Sequence, residues 1–510
     1  MIIDDQPYDI IIIGTGAGGG TLAQKLAPSG KRILILERGQ QMPLTEQNRA
    51  NVDIFKKERY HAPEQWYDTD GEPFSPQTNY ALGGNTKIYN TVLMRFRERD
   101  FESVQYQDGP APEWPIKYAD LEPYYTEAEH LYQVHGENET TDPTEPKHRD
   151  RYKHPSLDHP QVVKPIVSAL QDLGLHPTRL PMSRTLRDDN PTGDSEVFGT
   201  DRATARPNVT LKTNALVTAL HTNPTGTEIK GVQAQLTTPE GTLETLFKAN
   251  IVVLACGAVN TAALLLNSAN EKHPEGLANT SRLVGRNLMK MLMTVIVQRR
   301  ANNNTGTFPR SISVNDFYWG TENFNYPMGH IQNSGGLFQD IIFAESPPLL
   351  SVLARLLPEF SLRQLATQSI GWWAYTGTLP NPDSRVHLQN TPRRKKLRYE
   401  FKPNNLEAHD RLVYKWMAVL KDAEGSYRGL RQSNVYPRGE APIQVVGYQC
   451  GTCKMGTNPT TSVLDTNCRS HDIHNLYIVD SSFFPSCPSI GPALTIMANA
   501  LRVGEYIKDL

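Results

Sequence analysis

Hydrophobic residues near the start of the chain follow the pattern of a buried strand, a helix and a second buried strand. Residues 8–13 read YDIIII, a β-branched run typical of a strand covered on both faces. Residues 32–36, RILIL, form a second apolar run. A glycine-rich turn at residues 14–19 follows the first run directly and opens the helix between them. This order predicts a βαβ unit in a parallel sheet.

The turn at residues 14–19, GTGAGG, has the spacing of a dinucleotide-binding loop. Gly14 permits the tight turn, Gly16 lets a pyrophosphate approach the backbone, and Gly19 lets the helix pack closely on the sheet. The free N–H groups and the dipole of the following helix attract phosphate. Glu37 ends the second strand, where an acid hydrogen-bonds a ribose 2′-hydroxyl. The acid argues against a 2′-phosphate, and therefore against NADP in this site.

Later segments return to the same sheet. An apolar run at 251–255 reads as a buried strand, and another at 476–479 ends in Asp480 before residues 485–495 open a helix. Residues from about 100 to 195 are rich in proline, histidine and charge and read as cap material, with helical stretches at 120–134 and 161–173. We therefore expect an α/β fold in which a Rossmann-like cofactor domain is interleaved with a substrate (cap) domain of sheet plus helices. The predicted segments are 1–100 (first segment of the cofactor domain, with a lid loop), 101–195 (cap), 196–300 (second segment of the cofactor domain), 301–440 (substrate domain) and 441–510 (last segment of the cofactor domain, with the active-site residues).

Composition narrows the functional classes. The 510 residues exceed one ordinary core, and a net charge of -2 gives no electrostatic case for nucleic acid or an anionic membrane. The chain start lacks a signal-peptide pattern and no apolar run is long enough to span a bilayer, so we expect a cytoplasmic protein. The five cysteines fit a reducing compartment, and no spacing predicts a metal site.

With these separated motifs in this order, the chain resembles the glucose-methanol-choline (GMC) oxidoreductases, FAD enzymes that typically oxidise alcohols to carbonyls. The match covers roughly residues 1–100, 195–300 and 440–510. In relatives with a histidyl-flavin bond the attached His precedes the Asn of the first family signature, and here that position is Tyr89, so we expect noncovalent FAD. By this resemblance, the residues that bind FAD are Gly14, Gly16, Gly19, Glu37, Gly83, Gly84, Thr86, Asn90, Val217, Asp480, Pro492 and Thr495.

The resemblance also exposes a departure at the catalytic positions. The similar enzymes carry one His before the Gly-Thr motif and a second His or an Asn before the Pro-Ala-Leu-Thr element, and here these positions are Tyr448 and Gly491. A phenol with an ordinary pKa of about 10 is a poor base at neutral pH unless a cation stabilises its anion. Tyr448 is then a base if Arg95 or Lys454 lies close, a hydrogen-bond donor to the substrate, or a packed ring.

Other candidate residues keep two interpretations each. His387 fits a structural histidine better than a catalytic one, and residues 372–375, WWAY, fit either an aromatic wall over the flavin or core packing. Residues 346–357 predict a short amphipathic helix, either lining a substrate channel or buried.

Three functions remain open. The first is an FAD-dependent oxidoreductase that acts on the CH-OH group of a small or apolar alcohol, passes hydride to flavin N5 and has an altered proton path. The second is redox-neutral, radical or light-driven chemistry on the same scaffold, and the third is a non-catalytic FAD protein. The expected partners are a small-molecule substrate and an electron acceptor, with no nucleic acid and no membrane span.

Overall fold

The fold is a parallel sheet with helices, joined to a larger antiparallel sheet. The computed structural model describes residues 2–4, 6–42, 62–87, 91–183, 193–299, 310–336, 369–392, 395–426, 438–441, 443, 445 and 447–510. Its helices are α1 (Ala17–Leu26), α2 (Tyr118–Leu131), α3 (Lys164–Asp172), α4 (Asp201–Thr204), α5 (Ala258–Asn267), α6 (Leu406–Ser426) and α7 (Ala493–Lys508). Helices α2 and α3 confirm the two predicted helical stretches of the cap. None of the described helices combines the length and apolar content needed to cross a lipid bilayer.

The parallel sheet has five strands, in the order Val209–Lys212, Ile33–Leu36, Tyr8–Ile13, Ala249–Leu254 and Leu476–Ile478. All four pairings are parallel. The central run is almost fully buried, as its apolar sequence predicts. The next strand in the chain, Ile33–Leu36, lies on one side of Tyr8–Ile13, and the later strand Ala249–Leu254 lies on the other side. Parallel sheets bind ligands in the crevice at the carboxyl end of a strand where the order changes in this way.

Two glycines at this crevice fulfil the packing roles predicted for them. Gly14 has φ +101°, and a Cβ there would stand 2.5 Å from the Ala255 carbonyl oxygen. A Cβ on Gly19 would stand 1.9 Å from the Gly14 carbonyl oxygen. Neither position accepts a side chain, so α1 begins directly against the ends of two neighbouring strands.

The second large sheet has six strands, in the order Thr178–Arg179, Ile312–Val314, His330–Gly336, Ser369–Thr376, Leu292–Arg299 and Arg438–Glu440. All its pairings are antiparallel. One face packs on α3 and α6 to form a separate apolar core, in which Trp372 meets Trp416 at a ring distance of 4.8 Å. The opposite face therefore turns toward the parallel sheet, because side chains alternate along a strand.

The remaining strands form smaller sheets around these two. The first contains, in spatial order, Ile2–Ile3, Gly241–Phe247, Ile229–Thr238 and Ala215–Thr222. The second contains Arg385–Asn390, Lys395–Glu400, Trp66–Tyr67 and Pro73–Phe74, and the third contains Met182–Ser183, Val134–Gly136 and His154–Pro155. The fourth is a pair formed by Val104–Tyr106 and Gly109–Ala111. Leu292–Arg299 lies within the predicted segment 196–300 yet pairs in the six-stranded sheet. The expected α/β fold with an interleaved substrate domain is confirmed, and the segment boundaries stay predictions.

Candidate active site

A cavity of about 1000 Å³ runs from the carboxyl ends of the parallel sheet to the six-stranded sheet. It brings together segments from both ends of the chain, as the motif layout predicts. The predicted site residues that line it are Gly14, Gly16, Glu37, Gly84, Thr86, Val217, Tyr448, Asp480, Gly491 and Pro492. Gly19, Gly83 and Thr495 are not among its lining residues. Tyr89, Asn90 and the stretch 346–357 lie outside the described residues.

The dinucleotide end of the cavity is built around Glu37. Its Oε2 accepts hydrogen bonds from the Thr15 backbone N–H (3.0 Å) and hydroxyl (2.7 Å), and its Oε1 accepts from the Gly39 N–H (2.9 Å). Burial raises the pKa of this carboxyl, and the bonds from Gly39 and Thr15 oppose that shift. The carboxylate is thus held rigidly at the end of its strand, where it suits a ribose hydroxyl.

The start of α1 is open toward the cavity. No protein atom lies within 4 Å of a Cβ placed on Gly16, although Gly16 lines the cavity. The first turn of α1 carries no acidic residue, so nothing there opposes the positive end of the helix dipole. Free N–H groups, an unopposed dipole and open space beside a glycine backbone fit a pyrophosphate. Together with Glu37, this end of the cavity fits an adenine dinucleotide such as FAD.

Asp480 anchors two segments rather than standing free in the cavity. Its Oδ2 accepts from the Gly257 N–H (3.0 Å) and the Thr261 hydroxyl (2.5 Å), and its Oδ1 accepts from the Ser482 N–H (2.9 Å). Burial raises its pKa while these bonds lower it. The carboxylate therefore ties the last strand of the parallel sheet to the first turn of α5, next to the dinucleotide loop.

The second glycine turn lies directly against the first. The Gly83 N–H donates to the Thr15 hydroxyl (3.1 Å), and the Thr86 hydroxyl donates to the Gly83 carbonyl (2.6 Å). Sequence reasoning missed a charged group here: Lys87 lines the cavity, donates to Asp194 at 2.9 Å and contacts Glu196. The sequence shows Lys87 directly after Thr86, but it does not show that Lys87 pairs with Asp194 and Glu196, because these acids lie more than a hundred residues later in the chain.

Thr495 is directed away from the cavity. Its hydroxyl hydrogen-bonds the Tyr125 hydroxyl at 2.7 Å, and both side chains are fully buried. This contact joins α7 to α2. The position of Thr495 beside Pro492 in the sequence does not bring its side chain to the cavity surface, because α7 turns it toward the cap.

Tyr448 and Gly491 lie side by side, as expected for the two family positions. A Cβ on Gly491 would stand 3.5 Å from Tyr448 Cε1. Tyr448 adopts φ +65°, which is unusual for a residue with a side chain. Its ring meets Tyr375 edge to face, with ring centroids 5.8 Å apart. A phenol thus occupies the space next to the bare glycine backbone.

Neither Arg95 nor Lys454, the two cations considered as partners of Tyr448, lines the cavity. Arg95 is fully buried elsewhere and donates to Glu129 (2.7 Å) and Glu122 (3.0 Å). Arg95 is thus committed to the two glutamates, and a base role for Tyr448 stays a prediction.

The six-stranded sheet supplies the wall that faces Tyr448. The side chains on this wall are Met293, His330, Gln332, Trp373 and Tyr375 from three neighbouring strands, together with Met291 just before the strand Leu292–Arg299. Strand alternation divides the WWAY segment: Trp373 and Tyr375 line the cavity, while Trp372 packs in the core and donates to Gln298 at 3.0 Å. Whether the two cavity-lining rings cover the flavin stays a prediction. His387 bonds Glu400 at 3.0 Å and does not line the cavity, in keeping with its structural interpretation.

Sequence reasoning also missed His330 and Gln332. His330 Nδ1 lies 2.8 Å from Asn315 Oδ1, its Nε2 lies 3.2 Å from Gln332 Oε1, and its ring stacks on Tyr375 with centroids 5.9 Å apart. Burial lowers the pKa of His330 to about 4, so the ring is neutral at pH 7. The only sequence signal was the alternation of polar and apolar residues at 330–332, which indicates a strand. That alternation does not reveal which strand lies next to it in the sheet.

Comparison with known proteins agrees with this architecture. Family models described as GMC oxidoreductase match residues 8–293 and 380–500. The chain belongs to the GMC oxidoreductase family, and it is an FAD-dependent oxidoreductase.

Its similar relatives act on several kinds of molecule, as their names state. The chain is 26% identical over 544 residues to the 6'''-hydroxyparomomycin C oxidase of Streptomyces lividus, covering 99% of this chain and 92% of that protein. It is 26% identical to the 2-methyl-1,2-propanediol dehydrogenase of Mycolicibacterium austroafricanum, covering 99% and 96%. Among solved structures, a formate oxidase of Aspergillus oryzae RIB40 shares the fold with a TM-score of 0.71 at 15% identity, covering 99% of each chain.

Proposed function

We propose that this protein oxidises the CH-OH group of a small or apolar alcohol to a carbonyl, with hydride passing to flavin N5. The names of the similar proteins support an alcohol, since they include a propanediol dehydrogenase and a fructose dehydrogenase large subunit. The observation that carries the proposal is the juxtaposition of Tyr448 and Gly491 with the aromatic and thioether wall of the six-stranded sheet. That wall suits a substrate with an apolar body.

The cofactor residues have separate roles in this proposal. Glu37 orients the adenosine ribose, while Gly16 and the start of α1 accept the pyrophosphate. Gly84, Thr86, Val217 and Pro492 contact the rest of FAD, and Gly14, Gly19, Gly83, Asp480 and Thr495 keep the surrounding segments in place. Bound FAD supplies the two-electron acceptor. The protein holds it noncovalently.

The proton path of this enzyme differs from that of its relatives. Positions 448 and 491 carry no imidazole, and neither Arg95 nor Lys454 lines the cavity. Tyr448 in this proposal donates a hydrogen bond to the substrate oxygen and shapes the pocket. General-base loss typically reduces a rate by about 10² to 10⁴, so simple alcohols that do not reach another base react slowly.

The test is anaerobic mixing of the FAD-loaded protein with primary, secondary and sugar alcohols, with flavin absorbance and carbonyl product recorded together. At least one alcohol bleaches the flavin and yields one carbonyl per flavin reduced. An alcohol panel that leaves the flavin oxidised and gives no carbonyl would refute the proposal.

A second candidate is a redox-neutral or light-driven reaction on the same scaffold. The observation that favours it is the loss of both family proton-handling side chains at Tyr448 and Gly491. Its signature is product formation without net flavin reduction in the dark, or product formation only under illumination. The same anaerobic experiment, repeated under illumination with carboxylic acids, separates the two candidates.

A further inference from the structure

The cavity contains one imidazole in the described stretches of the chain, and it lies outside the family positions. Among the described residues that line the cavity, His330 is the only histidine. It begins the strand His330–Gly336 and pairs across the sheet with Tyr375, whose ring also meets Tyr448. The preceding Gly329 has φ +132°, and a Cβ there would stand 1.9 Å from the Tyr375 carbonyl oxygen. Only glycine brings His330 so close to Tyr375.

The hydrogen-bond network fixes which ring nitrogen carries the proton. Asn315 Nδ2 donates to Asp142 Oδ2 at 2.5 Å and to Ser313 Oγ at 3.3 Å, so its Oδ1 must be the atom that accepts from His330. His330 Nδ1 therefore carries the hydrogen at 2.8 Å from Asn315 Oδ1. In the neutral ring Nε2 is then the basic nitrogen. Asp142 is held in turn by Arg97 at 2.9 Å.

Gln332 can satisfy His330 in either protonation state. Its amide lies between His330 Nε2 (3.2 Å) and the Tyr375 hydroxyl (3.2 Å). In the structure the amide oxygen of Gln332 faces His330 Nε2 and its NH₂ donates to the Tyr375 hydroxyl, which is the arrangement that suits a protonated ring. A half-turn of the amide lets its NH₂ donate to Nε2 of the neutral ring and its oxygen accept from the Tyr375 hydroxyl. Because an amide carries a donor and an acceptor of nearly equal size, this exchange needs no displacement of the strand.

From these contacts we infer that His330 supplies the base which positions 448 and 491 lack, accepting the substrate hydroxyl proton on Nε2. This inference rests on the proposed alcohol oxidation. The step is balanced: the O–H bond breaks and its proton moves to His330, the carbon–hydrogen pair leaves as hydride to FAD, and the C=O double bond forms. Asn315 and Asp142 act as positioning residues, because they fix the ring through its other nitrogen.

The charged groups around His330 set the expected pH dependence. Burial lowers the pKa of the ring to about 4, bonding to Gln332 raises it, the positive charge of Arg97 lowers it, and the negative charge of Asp142 raises it. The base is then unprotonated over the whole neutral range. Flavin reduction is expected to be independent of pH between about pH 6 and pH 9 and to decline only in acid. A tyrosine base would instead make the rate rise toward a pKa of about 10.

The decisive variant is His330→Gln, with His409→Gln as a matched control. His409 is also buried, also has its pKa lowered to about 4 by burial, and bonds Thr294 (2.8 Å) and Thr376 (2.9 Å), but it does not line the cavity. H330Q should slow the limiting rate of anaerobic flavin reduction by about 10² to 10⁴ with a smaller change in the half-saturating alcohol concentration. H409Q should retain the native limiting rate.

Two measurements on native protein keep the inference testable if H330Q does not fold. One is the pH profile of flavin reduction. The other is ¹⁵N nuclear magnetic resonance of histidine-labelled protein. At pH 7 it should show the signal of a neutral ring protonated on Nδ1, and this signal should be absent from any variant at position 330 that folds. A native rate in H330Q, a rate that rises with pH toward 10, or a His330 ring protonated on Nε2 alone would each overturn the inference. Failure of every alcohol to reduce native protein would instead refute the proposed function, and this inference with it.

Discussion

The ring of Tyr448 lies against the backbone of Gly491, with Tyr448 Cε1 at 3.5 Å from where a Gly491 Cβ would stand. That distance is an ordinary van der Waals contact, so an alanine fits, and a longer side chain that points toward position 448 meets the phenol. The two positions therefore form one packing unit. We expect a residue larger than alanine at 491 to compete with the Tyr448 ring for the same space.

Substitutions at this pair should be strongly coupled. G491A is expected to change the free energy of unfolding by less than about 0.5 kcal/mol, whereas G491N should cost about 1–3 kcal/mol by overpacking against Tyr448. In the Y448H background the cost of G491N should shrink, giving a coupling energy of about 0.5–3 kcal/mol in a double-mutant cycle. The double variant, which restores the residues seen in relatives, should also reduce its flavin faster with an alcohol that the cap admits. Strict additivity of the two changes would show that the side chains do not share this space.

The dinucleotide loop provides a second prediction. Gly16 has backbone angles that valine can adopt, and its Cβ direction is free of protein atoms, so G16V should fold but obstruct the pyrophosphate. The purified variant should have a low ratio of flavin absorbance to protein. Gly425 in α6 also has no atom within 4 Å of an added Cβ and does not line the cavity, so G425A should keep native flavin content. Full flavin content in G16V would refute the assignment of this loop.

FAD should be released by acid. Tyr89 stands where relatives with a histidyl-flavin bond carry the attached His, and tyrosine at this place does not form that bond. After acid precipitation all yellow colour should appear in the supernatant. Colour that stays with the washed pellet would contradict noncovalent binding.

Thr495 should matter for stability and not for cofactor content. T495V leaves the buried Tyr125 hydroxyl without its 2.7 Å partner, which should cost about 1–3 kcal/mol. Y125F should cost a similar amount. The double variant T495V/Y125F removes both polar groups and should recover most of the loss, because no hydroxyl is then left unsatisfied. All three proteins should bind one FAD, and loss of flavin from T495V alone would place this hydroxyl at the cofactor instead.

Much of the cofactor domain could be predicted from local pattern. The strand at 8–13, the turn at 14–19, Glu37 and the strand that ends at Asp480 each carry their own signal, and the parallel sheet brings their carboxyl ends together. These features depend on short-range sequence, which a single chain displays directly. The pairing of Tyr448 with Gly491 came instead from the resemblance to the GMC enzymes.

The substrate wall could not be predicted in the same way. Alternation in WWAY shows that Trp372 and Trp373 face opposite sides, but it does not say which side α6 covers. His330 reaches the cavity only because its strand pairs with Ser369–Thr376, a contact between distant segments. Thr495 shows the converse case: it is close in sequence to a cofactor motif, yet its side chain bonds Tyr125 and does not line the cavity. Long-range pairing decides these cases.

Alcohol oxidation by this protein is best tested with an alcohol that carries either hydrogen or deuterium on the carbinol carbon. FAD-loaded native protein is mixed with each form without oxygen and in the dark, and the flavin absorbance is followed by stopped flow. Oxidation of a CH-OH group predicts that the flavin bleaches, that a carbonyl accumulates in equal amount, and that deuterium slows bleaching. Carbonyl or other product formed while the flavin stays oxidised, or product that appears only under illumination, would contradict alcohol oxidation by hydride transfer.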